Sequence, residues 1–166
     1  MGSERFKTEI LPLRQQLFRL SLKLLKDEQD AEDAVQESLL KLWHVRNTLK
    51  SYESPAAFAT TVTKNLCLDK IKLRKHTETI DEHYAVSGND NPQLQLERQD
   101  TNRILRMIIR QLPSLQQQII TMKDVEEYEA EEIAEITGAS IEAVRTNLSR
   151  ARKKVREEYL RLISSK

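Results

Sequence analysis

The chain has 166 residues, of which 39% are hydrophobic and 32% charged, and its formal net charge is +1. This composition excludes a disordered tail and a membrane protein, because charges interrupt every apolar run before it could span a bilayer. The single cysteine excludes an internal disulfide, and only 3 glycines and 4 prolines leave little turn chemistry for a sheet. We therefore expect an all-α protein. The N-terminus has no signal-peptide pattern, so we expect the protein to be cytoplasmic.

Apolar residues at three- and four-residue steps predict a first amphipathic helix between Phe6 and Leu24. Pro12 falls inside this pattern and predicts a kink or a helix start nearby. After a polar turn at residues 26–30, the pattern predicts a second helix over residues 31–45. Trp43, near the end of that helix, is expected in the core.

A third helix is predicted to begin at Pro55, because proline suits the first helical position and Ser54 can cap the backbone N–H groups there. This helix ends in a basic cluster over residues 70–76. The pattern then breaks, and residues 88–92, GNDNP, are turn-forming residues typical of a linker.

A second helical block follows this break. Apolar residues from Ile104 to Ile109 predict one helix, which Pro113 stops, and residues from Leu115 to Met122 predict another. We therefore predict two small helical domains joined by a flexible linker: residues 1–76, linker residues 77–100, and residues 101–166.

The last two helices form a helix-turn-helix pattern. Ile133 and Ile136 give a short helix its apolar side, Gly138 can adopt the left-handed conformation that ends it, and Ser140 can cap the next helix. That longer helix combines an apolar stripe with seven basic residues between positions 145 and 161. In a helix-turn-helix the second helix enters the DNA major groove, where arginine pairs with guanine. The simpler alternative is a solvated basic face.

Acidic and basic blocks alternate along the chain, although the total charge is close to zero. Residues 27–37 hold six acids and residues 124–135 hold seven, both without a base. Residues 70–76 hold four Lys/Arg and no acid. A nearly neutral chain can therefore combine a DNA-binding face with a second face for a basic partner.

Three stretches resemble the ECF (extracytoplasmic function) group of bacterial RNA polymerase sigma factors. Two of them, LLKDEQDAEDAVQESLLKLW and PAAFATTVTKNLCLDKIKLRK, are similar to sigma region 2. The third, LRMIIRQLPSLQQQIITMKDVEEYEAEEIAEITGASIEAVRTNLSRARKKV, is similar to sigma region 4. One departure is Glu129, which replaces a capping Ser or Thr, so we expect the capping hydrogen bond to be lost. The resemblance implies a specificity subunit without catalytic residues that binds core RNA polymerase and promoter DNA.

The resemblance implies that region 4 reads the −35 promoter element as duplex DNA. Four residues of the last helix are expected to face the major groove and two more to contact phosphates: Arg145, Thr146, Ser149 and Arg150, then Arg152 and Lys153. The alternative for these arginines is a surface ion pair with Glu142 or Glu157.

By the same resemblance, region 2 reads the −10 element as it melts. Its third helix is expected to present five residues to DNA: Thr61, Lys64, Asn65, Lys72 and Arg74. The preceding loop, residues 44–53, is expected to hold a flipped-out base. Asn65 has an alternative as a buried polar residue. Residues 59–83 contain no aromatic side chain that could stack on bases, so we expect weak melting and a need for a near-ideal promoter.

The acidic second helix would repel DNA and needs a different partner. In the family it docks on the clamp helices of the largest polymerase subunit, which implies contacts from Asp30, Glu32, Asp33, Gln36, Glu37, Leu40 and Trp43. The alternative is an ordinary solvated acidic face. The resemblance also implies an anti-sigma factor as a partner. No small-molecule substrate, cofactor, metal or membrane insertion is expected.

Two other functions stay open from the residues alone. A stand-alone helix-turn-helix regulator would not need the acidic second helix, and a helical protein-interaction adaptor would not need seven bases in the last helix. An enzyme is not expected, because His44, His76 and His83 have no partners at catalytic or metal-binding spacing.

Overall fold

The computed structural model describes residues 2–79 and 91–164, and the described part of the chain consists of helices joined by short turns, without a β-strand. This confirms the prediction of an all-α fold. The α-helices are α1 (Gly2–Arg5), α2 (Arg14–Leu25), α3 (Glu28–His44), α4 (Pro55–Thr79), α5 (Pro92–Arg110), α6 (Ser114–Ile120), α7 (Ala130–Thr137) and α8 (Ile141–Ser164).

The chain divides into two compact units. The first covers Met1–Glu82 together with Ala134–Gly138, and the second covers His83–Ile133 together with Ala139–Lys166. Two units agree with the predicted two-domain organisation, while the bounds predicted from the sequence stay a prediction. Each unit is described below by itself.

The predicted first helix is interrupted around Pro12. After α1 the chain forms a π-helical turn, Phe6–Ile10, and a short 3-10 helix, Leu11–Leu13, before α2 begins at Arg14. Proline lacks a backbone N–H and clashes with the preceding turn, so a regular α-helix cannot run through this position. The irregular segment still buries Phe6 and Ile10, which keeps the amphipathic pattern.

A tight turn connects α2 to α3. Lys26 ends α2 in the left-handed conformation, with φ of 60°, and its backbone N–H donates to the Leu22 carbonyl. The Asp27 carboxylate then accepts a hydrogen bond from the Asp30 backbone N–H at 3.0 Å, which caps α3. The predicted polar turn is thus confirmed and shortened, because Glu28 already belongs to α3.

Helices α2, α3 and α4 pack against one another through small buried side chains. Ala31 and Ala34 of α3 are fully buried, and Cys67 of α4 packs with Ala34 and Leu25. Burial raises the pKa of the Cys67 thiol. Small residues at these positions let the helix backbones approach closely, while Leu17 and Leu42 fill the remaining volume.

The predicted start of α4 is confirmed. The Ser54 hydroxyl accepts a hydrogen bond from the Ala57 backbone N–H at 3.2 Å, and Pro55 is the first helical residue. The end of α4 differs from the prediction, because the helix continues to Thr79 and includes the first residues assigned to the linker.

The far end of the predicted linker is also helical. The Asn91 side chain accepts a hydrogen bond from the Gln93 backbone N–H, and Pro92 starts α5. The Asn-Pro pair therefore begins a helix within the predicted linker. Residues 92–100 belong to α5, whereas residues 80–90 lie outside the described residues.

In the second unit, α8 packs against α5 and α6. The stripe predicted for α8 is buried at Val144, Leu148 and Ala151. Partners in the core come from the preceding helices, with Ile108 on α5 and Ile119 on α6. The second half of the stripe, from Val155 to Leu162, is half-buried.

Capping bonds define the ends of α7 and the start of α8. The Glu129 backbone N–H donates to the Glu132 carboxylate at 2.9 Å, which is one of the two hydrogen bonds of a capping box. The other bond, accepted by a Ser or Thr side chain, is lost as predicted, because Glu occupies position 129. Gly138 has φ of +79°, and the Ser140 hydroxyl accepts from the Ala143 backbone N–H at 3.0 Å. Both features confirm the predicted turn between α7 and α8.

The buried hydroxyl of Thr63 has no hydrogen-bond partner within the described residues. An unpaired buried hydroxyl destabilises a fold, so Thr63→Val should raise the free energy of unfolding by about 1 kcal/mol. Urea unfolding followed by the fluorescence of Trp43, the only tryptophan, measures this change. Thr60 is exposed and its hydroxyl bonds the Ala56 carbonyl, so Thr60→Val is the matched control and should change stability by less than about 0.5 kcal/mol. A less stable Thr63→Val variant would contradict this expectation.

Gly138 occupies a conformation in which a Cβ atom is strained. Gly138→Ala should therefore lower the free energy of unfolding by about 1–2 kcal/mol. Asparagine tolerates the left-handed region better, so Gly138→Asn should cost less than Gly138→Ala. Thermal unfolding followed by circular dichroism compares the two variants, and equal melting temperatures would show that the turn changes its conformation.

Candidate nucleic-acid interface

The outer face of α8 carries every residue predicted to read the −35 element. All six side chains are exposed, and they alternate with the buried stripe of the same helix: Arg145, Thr146, Ser149, Arg150, Arg152 and Lys153. Because the stripe anchors α8 to α5 and α6, this cationic face is held in a fixed orientation on the second unit.

Arg145 and Arg150 form no ion pair within residues 91–164, so the alternative pairing with Glu142 or Glu157 is not present there. Arg145 lies on the second turn of α8, and helix-turn-helix proteins place the N-terminal turns of this helix near base edges. A guanidinium group with five donors and no competing carboxylate is suited to a guanine edge or a phosphate.

Arg152 is held by a carboxylate. Its Nε donates to Asp124 at 2.9 Å and a second nitrogen donates to the other carboxylate oxygen, which makes a bidentate pair. Hydrogen bonding to Asp124 raises the pKa of Arg152. Asp124 lies in a π-helical turn, Thr121–Val125, that follows α6, so the pair ties α8 to this turn.

On α4, the structure contradicts the prediction that Thr61 faces DNA. Its side chain is only 4% exposed, because position 61 lies on the face of α4 that packs into the core of the first unit. Lys64 and Asn65 are half-buried, and the Asn65 amide nitrogen is buried without a partner within the described residues. Lys72 is exposed. The predicted face of α4 therefore begins at Lys64.

Ion pairs connect the basic end of α4 to the acidic face of α3. Arg74 pairs with Asp30, and Lys70 Nζ lies 3.0 Å from the Glu37 carboxylate. Two predicted polymerase contacts are thus paired with cations of α4, one of them the predicted DNA contact Arg74. Lys70 is not among the predicted contact residues, although it lies in the basic cluster over residues 70–76.

Other predicted residues of α3 remain exposed. Asp33, Gln36 and Leu40 follow a helical spacing on the side away from the core, and Leu40 is 58% exposed. Glu32 is half-buried and pairs with Arg14 of α2 at 2.7 Å. An apolar side chain beside carboxylates forms a surface suited to a basic protein partner.

Trp43 is half-buried and contacts two other side chains. The Phe6 ring meets it edge-on with centroids 5.1 Å apart, and the Arg46 guanidinium lies 4.0 Å from its ring centroid. The expectation of a core position is therefore partly confirmed. A cation over an indole face is a favourable arrangement that also fixes Arg46.

The predicted base-holding loop contains a 3-10 helix, Arg46–Ser51. Leu49 is fully buried under it, and Tyr52, just beyond it, packs on Phe58 of α4 with ring centroids 4.8 Å apart. The exposed side chains of the loop are polar, among them Asn47, Thr48 and Lys50. They can hydrogen-bond a base, whereas Tyr52 is half-buried against Phe58 and the exposed aromatic ring of the loop is the imidazole of His44.

Within the described ranges, no group of three or more His, Cys, Asp and Glu side chains could hold a metal ion. No helix among the described residues is both long enough and apolar enough to cross a membrane.

Two family models match the chain, in the same order as the two helical units. Residues 10–77 match the model of sigma-70 region 2, and residues 102–155 match the model of sigma-70 region 4. Together these matches span well over half of the chain.

Relatives with the same description align over most of the chain. RNA polymerase sigma factor SigV of Bacillus subtilis is 28% identical over 146 residues, which cover 86% of this chain and 84% of SigV. ECF RNA polymerase sigma factor SigJ of Mycobacterium tuberculosis is 32% identical over 156 residues, which cover 89% of this chain and 49% of SigJ. The probable sigma factor RfaY of Xanthomonas campestris is 29% identical, and the chain spans 37% of its length.

Two solved structures of sigma factors in complex are also similar. The sigma factor RpoE bound to the anti-sigma factor NepR, from Bartonella quintana, is 25% identical with a TM-score of 0.43, covering 94% of this chain and 96% of that one. CnrH bound to the cytosolic domain of CnrY is 17% identical with a TM-score of 0.38, covering 93% of this chain and 87% of that one.

Proposed function

We propose how this chain, which belongs to the ECF group of the sigma-70 family of RNA polymerase sigma factors, divides promoter recognition between its two helical units. Sigma factors are transcription initiation factors, not enzymes: they bind core RNA polymerase and direct it to promoters. The observation that carries this function is the succession of region 2 and region 4 in one chain. A stand-alone regulator or an adaptor would not need both.

We assign polymerase binding and −10 recognition to residues 1–76 and −35 recognition to residues 101–166. Linker residues 77–100 join them, with helix at both ends of that range. The place of action follows from the partner, since a protein that works on core polymerase works in the cytoplasm.

For the −35 element, Arg145, Thr146, Ser149 and Arg150 enter the major groove, while Arg152 and Lys153 contact phosphates. This assignment is supported by their exposure on one helix whose opposite stripe is buried. Arg152 exchanges Asp124 for a phosphate on binding. Both partners are anionic and accept two parallel hydrogen bonds from a guanidinium group.

For the −10 element, Lys64, Asn65, Lys72 and Arg74 contact DNA, and the loop at 44–53 holds the flipped-out base. The Asn65 amide nitrogen has no partner in the part of the chain that the structure describes, which supports its inclusion, because a buried donor without a partner is unfavourable until a ligand supplies one. Since Tyr52 is half-buried and the exposed aromatic ring of the loop is the small imidazole of His44, melting depends mainly on hydrogen bonds and on a favourable promoter sequence.

The exposed face of α3 docks on core polymerase. Asp33, Gln36, Glu37 and Leu40 are exposed there, and Glu37 pairs with Lys70. Asp30, Glu32 and Trp43 are half-buried and engaged in contacts within the first unit. We include an anti-sigma factor among the partners, because members of this group are commonly controlled in this way.

Run-off transcription with core polymerase on a pool of bacterial promoters tests the function. The protein should produce promoter-specific transcripts, and Arg145→Ala or Arg150→Ala should reduce them at least about fivefold, since one bidentate arginine–guanine contact contributes about 1–3 kcal/mol. Arg161→Ala removes the same charge from the far end of α8, where Arg161 pairs with Glu158, and should leave transcription unchanged. If core polymerase gains no specificity and does not bind the protein, the sigma function fails.

The polymerase-binding face is tested with two carboxylates of α3 that differ in their partners. Asp33 is exposed, whereas Asp30 already pairs with Arg74. Asp33→Ala should weaken binding to core polymerase about threefold to tenfold, and Asp30→Ala should weaken it less, because interfacial charge contacts depend on carboxylates available to the partner. Fluorescence anisotropy with labelled protein measures both affinities. A larger loss with Asp30→Ala would place the contact at the start of α3 instead.

A further inference from the structure

The N-terminal segment contacts the loop to which we assign the flipped-out base. Residues 3–9 precede the part of the chain that matches the region 2 model, which begins at residue 10. Even so, α1 packs against the 3-10 helix Arg46–Ser51 of that loop. The contact joins positions more than forty residues apart, so no local sequence pattern indicates it.

Arg5 makes the central contact. One guanidinium nitrogen donates to the Leu49 carbonyl at 2.8 Å and another donates to the Tyr52 carbonyl at 3.2 Å. These carbonyls lie near and just beyond the C-terminal end of the 3-10 helix, where the Leu49 carbonyl also accepts from the Tyr52 backbone N–H at 3.2 Å. Glu9 accepts from the third nitrogen, Nε, at 2.5 Å, so each nitrogen of the guanidinium group donates at least one hydrogen bond.

Phe6 fixes the beginning of the same loop. It is 6% exposed and packs edge-on against Trp43, which carries the Arg46 guanidinium over its ring. Arg46 also donates to the Trp43 carbonyl at 2.9 Å. Arg5 and Phe6 therefore hold the two ends of the loop, while Asn47, Thr48 and Lys50 between them stay exposed.

We propose that Arg5 is a positioning residue for −10 recognition: its guanidinium group clamps the backbone of the loop at 44–53 and so presets the polar side chains that meet the extruded base. This inference rests on the function proposed above for that loop. Extrusion of a base costs a few kcal/mol, and a loop that is already ordered adds less to this cost than one that must order on binding. Arg5 touches no DNA itself and acts through the loop.

The discriminating variants are Arg5→Ala, Arg5→Lys and Lys7→Ala. Lys7 is exposed two residues away, so Lys7→Ala removes the same charge from the same segment without touching the clamp. Lysine keeps the charge but cannot donate from two nitrogens of one planar group, so Arg5→Lys should be intermediate.

The first measurement uses holoenzyme reconstituted from core polymerase and each variant. The DNA templates are premelted over the −10 element, and each of the four bases is placed in turn at every unpaired position. At each position we compare the four affinities of the holoenzyme and take the ratio of the highest to the lowest. Arg5→Ala should reduce this ratio about fivefold to tenfold at one position, and Lys7→Ala should leave it as in the wild type. An unchanged ratio, or an equal loss of affinity for all four bases, would overturn the positioning role and leave Arg5 a structural residue only.

The second measurement examines the clamp without DNA. Hydrogen exchange of the backbone amides at 47–53 should be at least about tenfold faster in Arg5→Ala than in Lys7→Ala, because the anchored carbonyls are released. Equal exchange would overturn the clamp. A third outcome separates the two proposals. If exchange is faster in Arg5→Ala but the wild-type holoenzyme shows no base preference in the −10 element, the clamp is supported and the function proposed for the loop is overturned. If Arg5→Ala does not fold, Arg5→Lys and Glu9→Gln test the same contact.

Discussion

Close packing of α3 between α2 and α4 is the constraint on which the first unit depends. Ala31, Ala34 and Ser38 are fully buried on one side of α3, and side chains this small let three helices share one core. A larger residue at any of these positions would push the helices apart. The acids of α3 can then lie only on its other sides. The helical spacing of the small residues therefore determines both the core and the position of the acidic face.

The same division of a helix into two faces organises α8, with a buried apolar stripe and a cationic outer face. Opposite charges on α3 and α8 cancel in the total, which explains why a net charge of +1 is compatible with DNA binding. In both helices the face to which we assign a partner is the face that packing leaves exposed. The packing of the buried stripe therefore also fixes the orientation of the exposed face.

Local signals in the sequence predicted local structure well. Ser54, Gly138 and Ser140 act within a few residues along the chain, so capping and turn chemistry specifies them, and the structure has all three as expected. Contacts between distant positions were not predictable in this way. The pairs of Arg152 with Asp124 and of Arg74 with Asp30 join residues 28 and 44 positions apart. The burial of Thr61 likewise depends on which face of α4 meets the core.

The energetic cost of freeing a side chain for DNA is small for Arg74 and Arg152 and large for Thr61. Exposed ion pairs contribute about 0–1 kcal/mol, so Arg74 and Arg152, with side chains 45% and 52% exposed, can exchange a carboxylate for a phosphate at little cost. Thr61 is 4% exposed, and moving it to the surface would disrupt the packing of α4 against its neighbours. Pairing therefore leaves a cation available to DNA, whereas burial removes a side chain from the interface. By the same reasoning Arg5, held by two carbonyls and a carboxylate, acts on the backbone of its own chain.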